Sequence, residues 1–239
     1  MIIEVNLQDV MEKLEELGTE QTKKTFLRHG AKEPLFGVKI GDLKKLTKFV
    51  KKDQELVREL YRTGNSDAMY LAGLTINPKH VTKEELEDWM NRANWHAITE
   101  YTVANVAAES PFAIELALEW IDSDDEIVAA GGWSTYTNYI SITPDEELNI
   151  NEIKQLLKKI EDTISKEKNR VRYVMNGFVI GVGSFVKNLN QEAIDTAKAI
   201  GKVTVHMGDT ACKVPLATEY IEKVADKGKI GVKRKTCIC

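Results

Sequence analysis

Cysteine is scarce. Three residues in 239, Cys212, Cys237 and Cys239, are too few for a disulfide framework and point to a reducing compartment. No apolar run reaches the ~18–20 residues of a membrane span. The opening MIIEVNLQDVMEKLEEL reads as an acidic amphipathic helix without the basic and apolar regions of a secretion signal. A cytoplasmic location with no membrane partner is therefore expected. Proline and glycine are also few, 5 and 15 against a hydrophobic fraction of 43%, which excludes a disordered chain. Strand alternation is nearly absent. There is no glycine-rich phosphate loop, Ser–His–Asp set or GxSxG elbow, and no cofactor is expected. His206, Asp209 and Cys212 are spaced by three, and Cys237 and Cys239 flank Ile238. Neither pattern is a familiar zinc spacing, so no metal is expected.

Amphipathic helical segments are abundant, and they come in pairs. Residues 40–50 carry Ile40, Leu43, Leu46 and Val50 on one face, and 53–62 answer with Leu56, Val57, Leu60 and Tyr61. Further pairs run 65–75 with 83–92, 95–108 with 111–121, 126–140 with 152–164, and 170–186 with 191–200. The unit recurs roughly every 35–45 residues, the range of helical repeat arrays. One pair cannot bury its own apolar stripe, so neighbours must stack. The expectation is an all-α, right-handed α-solenoid of about five or six antiparallel pairs, one domain over residues 1–239, with a concave groove and a mobile basic tail over 227–239.

Helix-start chemistry supports these boundaries. Thr82 with Glu85 reads as a capping box, Ser110-Pro111 as an N-cap followed by proline, and Thr143-Pro144 with Glu146 as both devices together. Gly18, Gly64 and Gly201 stand where left-handed C-caps belong. Asp209 or Thr210 is placed to open a terminal capping helix. Two segments, 127–144 and 173–186, hold no charge and should be buried on most sides. Their glycines serve either tight helix packing or the close approach of a ligand.

The net charge of −4 argues against a nucleic-acid partner, but the distribution argues for one. Residues 84–126 hold twelve acids against Arg92 alone. Two stretches are basic: Lys39, Lys44, Lys45, Lys48, Lys51 and Lys52, and then Lys223 to Lys235. Local basic patches set a nucleic-acid footprint; solvated helix faces are the plainer account of the same lysines. If Lys39, Lys44, Lys48, Arg170 and Arg172 line one surface, duplex DNA is the expected partner, bound without sequence preference. If acids line it, a basic protein is.

Three segments, PLFGVKIGDLKKL, WHAITEYTVANVA and RYVMNGFVIGVG, together resemble the bacterial DNA alkylation repair proteins of the AlkD type, and the likeness in layout covers nearly the whole chain. The resemblance implies HEAT-like repeats that cradle duplex DNA. It further implies excision of N3- or N7-alkylated purines by a carboxylate flanked by tryptophans and an arginine. Carried onto this sequence, the aromatic falls on Trp95-His96 and the carboxylate on Glu100, with Thr99 in the alternative register. The arginine's helix reads AAGGWSTYTNYI and has no basic residue, and a further aromatic falls on Phe178 instead of tryptophan. Glu100 and Trp95 are thus the catalytic candidates, and His96, Trp133, Tyr136 and Phe178 the candidate walls for a cationic base. Lys39, Lys44, Lys45, Lys48, Arg170 and Arg172 are the candidate backbone contacts. Two plainer accounts stay open: Trp95 belongs to the core stripe of Ile98, Thr102, Val103 and Val106, and His96–Glu100 is an exposed i,i+4 pair. The alternative function is a protein-interaction scaffold, or a non-catalytic binder of structured nucleic acid.

Overall fold

The computed structural model describes residues 5–238, and among them there is no strand. The chain divides into two compact units, one of residues 1–111 with short pieces near 208–210 and 238–239, the other of 112–207 and 211–237. The boundary falls inside the third expected helix pair.

The first unit holds α1 (Leu7–Leu17), α2 (Glu20–Arg28), α3 (Ile40–Val50), α4 (Gln54–Arg62), α5 (Ser66–Thr75), α6 (Lys83–Arg92) and α7 (96–108). Residues 1–4 of the expected N-terminal helix lie outside the described residues; the helix itself begins after Asn6, whose side chain and that of Asp9 form a reciprocal capping box. α7 is interrupted by a π turn over Thr99–Val103. Trp89 stacks on Tyr61 at 3.9 Å, and the Tyr61 hydroxyl donates to the Trp89 carbonyl, joining α4 to α6.

The second unit holds α8 (Ala113–Ile121), α9 (Glu126–Ile142), α10 (Ile150–Thr163), α11 (Asn169–Phe185), α12 (Asn190–Ile200) and α13 (Ala217–Asp226). α9 and α11, which carry the two charge-free segments, are its buried centre, packed on each other and on α8, α12 and α13. Gly132, Gly181 and Gly183 serve packing, whereas Gly177 faces open space. A Cβ on Gly132 would stand 2.5 Å from the Ile121 nitrogen and 2.8 Å from the Ala117 carbonyl oxygen, so only glycine lets α8 and α9 approach this closely. The basic tail folds back on this unit. Arg234 N–H donates to the Ser141 carbonyl, Lys233 pairs with Asp145 at 2.7 Å, and Cys237 is buried.

Several expected caps resolve differently. Thr82 accepts the Glu85 N–H, but the Glu85 carboxylate is held by Arg58 at 2.8 Å instead of completing the box. Ser110 turns back to the Ala107 carbonyl, and α8 starts at Ala113 without a side-chain cap. Pro144 opens only a 3-10 turn; Asn149 caps α10. The last helix starts at Ala217, after Leu216, so neither Asp209 nor Thr210 opens it. Gly64 and Gly201 have positive φ, but Gly18 does not (φ −65°). It is needed because a Cβ there would lie 2.5 Å from the Phe36 carbonyl oxygen.

Candidate nucleic-acid interface

α3 carries the basic stretch. Lys44 and Lys48, and Lys45 and Phe49, stand one helical turn apart on α3, and Lys51 and Lys52 follow in the turn after it; all six side chains are exposed. Lys39, the N-cap residue, is exposed as well. α3 attaches to the unit through buried Leu43 and Val50, which leaves most of its circumference to solvent. Lys45 pairs with Asp42 at 2.7 Å, and that hydrogen bond holds the Asp42 carboxyl below the usual carboxylate value. In water this pair is weak, and Lys45 remains 76% exposed within it.

The turn that leads into α3 is fixed by a buried carboxylate. Asp67 accepts the backbone N–H groups of Phe36 (2.6 Å), Gly37 (3.0 Å) and Val38 (2.9 Å). It lies in the first turn of α5, next to the Asn65 cap, where the helix dipole favours a negative charge. Gly37 has φ +81°, and a Cβ on it would meet the Lys23 backbone at 2.4 Å. The PLFGVK turn is therefore a structural fastening, and sequence patterning does not single out Asp67 as its partner.

The inner side of this turn and helix closes a cavity of about 280 Å³. Phe26, Ile40, Tyr70, Trp95 and Tyr101 line it, with little polar surface. Trp95 is half-buried, donates its indole N–H to the His29 carbonyl at 2.8 Å, and packs on Phe26 with ring centroids 5.3 Å apart. It is a wall of this cavity rather than a member of the Ile98–Val106 core stripe. Tyr101 is 50% and Ile40 43% exposed, so both stand at the rim.

The other expected residues are placed differently. His96 sits edge-on to Trp95 at 5.7 Å. Glu100, in the π turn, is buried at 4% exposure and does not line the cavity; the exposed His96–Glu100 pair does not form as an exposed pair. Thr99 is also fully buried. π turns are frequent at functional sites, but this one turns its carboxylate away from solvent. Trp133, Tyr136 and Phe178 belong to the second unit and are fully buried there. Trp133 and Tyr136 meet the Phe178 ring edge-on at 5.2 and 5.7 Å, and the Tyr136 hydroxyl donates to Glu152 at 2.5 Å. These three are core packing and do not form an open wall. All three lie in the charge-free segments of α9 and α11, which are buried as the unit's centre, and that explains the difference. Arg170 and Arg172 stand half-buried at the start of α11. The Arg170 guanidinium lies 4.2 Å from the Tyr173 ring, and Arg172 reaches Asn169.

Among the described residues no group of three metal-ligating side chains comes together, and no helix is long and apolar enough to cross a membrane.

A solved structure described as "a new family of proteins related to the HEAT-like repeat DNA glycosylases with affinity for branched DNA structures" is similar over 98% of this chain and 100% of its own, with 36% identity and a TM-score of 0.91. The fold is thus the all-α, HEAT-like repeat fold. The family model described as "DNA alkylation repair enzyme" matches residues 10–221, and the chain belongs to that family. Uncharacterized proteins of Listeria monocytogenes and Listeria innocua are each 38% identical to it, over 222 and 220 residues. These matches cover 90% of this chain and 96% and 95% of theirs.

Proposed function

We propose that this protein binds DNA through its phosphates, without sequence preference, and holds branched DNA more tightly than linear duplex. The observation that carries this reading is the exposed basic run on and around α3, where Lys44, Lys45 and Lys48 stand on the anchored helix, Lys39 at its N-cap and Lys51 and Lys52 in the turn that follows. Lysines on such a face release condensed counterions when they meet phosphates, so affinity falls with salt. The solved relative, described as having affinity for branched DNA structures, supports the preference. A cytoplasmic location accords with this reading.

Titration of a three-way junction and a linear duplex of equal length, at two salt concentrations, tests it. Binding should weaken as salt rises, and Lys44→Glu with Lys45→Glu and Lys48→Glu should weaken it on every sequence. The salt slope should fall by up to about 3, close to one per neutralised phosphate. Binding that is absent at low salt, or indifferent to salt, rejects the reading in favour of a protein-interaction scaffold.

A second reading, excision of a cationic N3- or N7-alkylpurine, rests on Trp95, whose indole walls a cavity open at Tyr101 and Ile40. In that reading the carboxylate that stabilises developing positive charge on the sugar is Glu100, which must first swing out of its buried place in the π turn. Only a base with an already weakened glycosidic bond would leave.

A further inference from the structure

We infer that Phe49 is the element that recognises a branch point, by stacking on a nucleobase left unstacked there. The inference rests on the DNA-binding reading above and deepens it.

Phe49 is 52% exposed, an unusual place for a phenyl ring on a helix with a buried face available. Lysines flank it on its own segment, while Asp53 and Glu59 share the neighbouring hollow with it. Lys45 precedes it by one helical turn and Lys52 follows it by one, and the Lys48 ammonium lies 4.7 Å from the ring centroid. Next to the ring is a mostly apolar hollow of about 270 Å³, walled by Leu46 and Val50 of α3 and by Val5 and Val10 at α1, with Asp9 and Lys13 of α1 also lining it. The ring therefore offers a π face beside a mostly apolar recess, next to exposed lysine ammoniums.

The chemistry selects the occupant. Lysine is depleted at the core of protein–protein interfaces, where aromatic anchors are otherwise favoured, so an aromatic flanked by lysines suits a protein partner poorly. Aromatic faces among cations are what single-stranded nucleic acid uses, because every base has a π face and every nucleotide a phosphate. A continuous duplex keeps its base faces stacked and offers Phe49 nothing beyond phosphates. A junction exposes base faces at the branch. Phe49 thus supplies the part of the free energy that separates branched from linear DNA, while the lysines supply what is common to both.

The test uses the full chain with a three-way junction carrying 2-aminopurine at the branch, and a linear duplex carrying the same base paired. Phe49→Ala should weaken junction binding about tenfold, the scale of one lost base–aromatic stack, and change duplex binding by no more than about twofold. The 2-aminopurine fluorescence should change on binding of the wild type and not of Phe49→Ala. Phe49→Trp should restore both the preference and the signal. A circular dichroism melt of Phe49→Ala matching the wild type excludes misfolding, as expected for a surface ring. If Phe49→Ala leaves the junction preference intact, or weakens both DNAs equally, the inference fails while the DNA-binding reading stands. If neither DNA binds at low salt, both fail. Capture of the patch by a protein partner, with junction preference unaffected by the variant, also overturns it.

Discussion

The carboxylate of Asp67 accepts the backbone N–H of Gly37 at 3.0 Å across thirty residues of chain. With the two neighbouring N–H groups it also holds, this contact sets where α3 begins and which way its lysines face.

Asp67→Ala leaves three backbone donors without their carboxylate, two of them buried. Hydrogen bonds to a charged group contribute about 1.5–3 kcal/mol each, and some are recovered by water. A loss of at least ~3 kcal/mol is expected in urea unfolding, with weaker DNA binding in the folded fraction. An unchanged unfolding midpoint would remove Asp67 from its role.

Two glycines of the buried helices should respond with opposite signs. At Gly132 an added Cβ meets the α8 backbone, while at Gly177 nothing stands within 4 Å. Gly132→Ala should destabilise by ~1–3 kcal/mol through overpacking. Gly177→Ala should stabilise by up to ~1 kcal/mol through helix propensity. Thermal melts of the two variants decide it, and a shared sign would contradict the packing.

Burial, then the hydrogen bond to Glu152, pushes the Tyr136 hydroxyl far above its ordinary value. Below the unfolded tyrosine value of about 10 this stability is fully present. Above it the unfolded chain releases a proton that the native protein retains, so stability falls as pH rises. Urea midpoints should drop as pH rises above about 10, and Tyr136→Phe should flatten that part of the profile. An equally steep profile in the variant would locate the cause elsewhere.

On the excision reading, Glu100→Gln should stop base release from an N7-methylguanine duplex, with a loss of ~10²–10³-fold, and leave DNA affinity nearly unchanged. Wild-type release no faster than the spontaneous rate would end the enzymatic reading. Full activity in Glu100→Gln would end only the assignment of that residue.

Much of the fold is legible in the sequence because helix periodicity and capping are local. The pairs at 40–62, 126–164 and 170–200 appear within a few residues of their expected ends, and the charge-free segments 127–144 and 173–186 are the second unit's core. The lysine helix is legible for the same reason: an exposed stripe is written in spacing alone. What spacing cannot supply is distance across the chain. It gives Trp133, Tyr136 and Phe178 as aromatics but not their burial against one another, and Glu100 as a carboxylate but not its orientation inside a π turn. It gives no sign that Asp67 reaches back to Phe36, or that Phe26, Tyr70, Trp95 and Tyr101 close one cavity. Those relationships arise only when helices far apart in sequence pack together, because burial and three-dimensional neighbours, rather than residue type, decide whether an aromatic ring is core or wall.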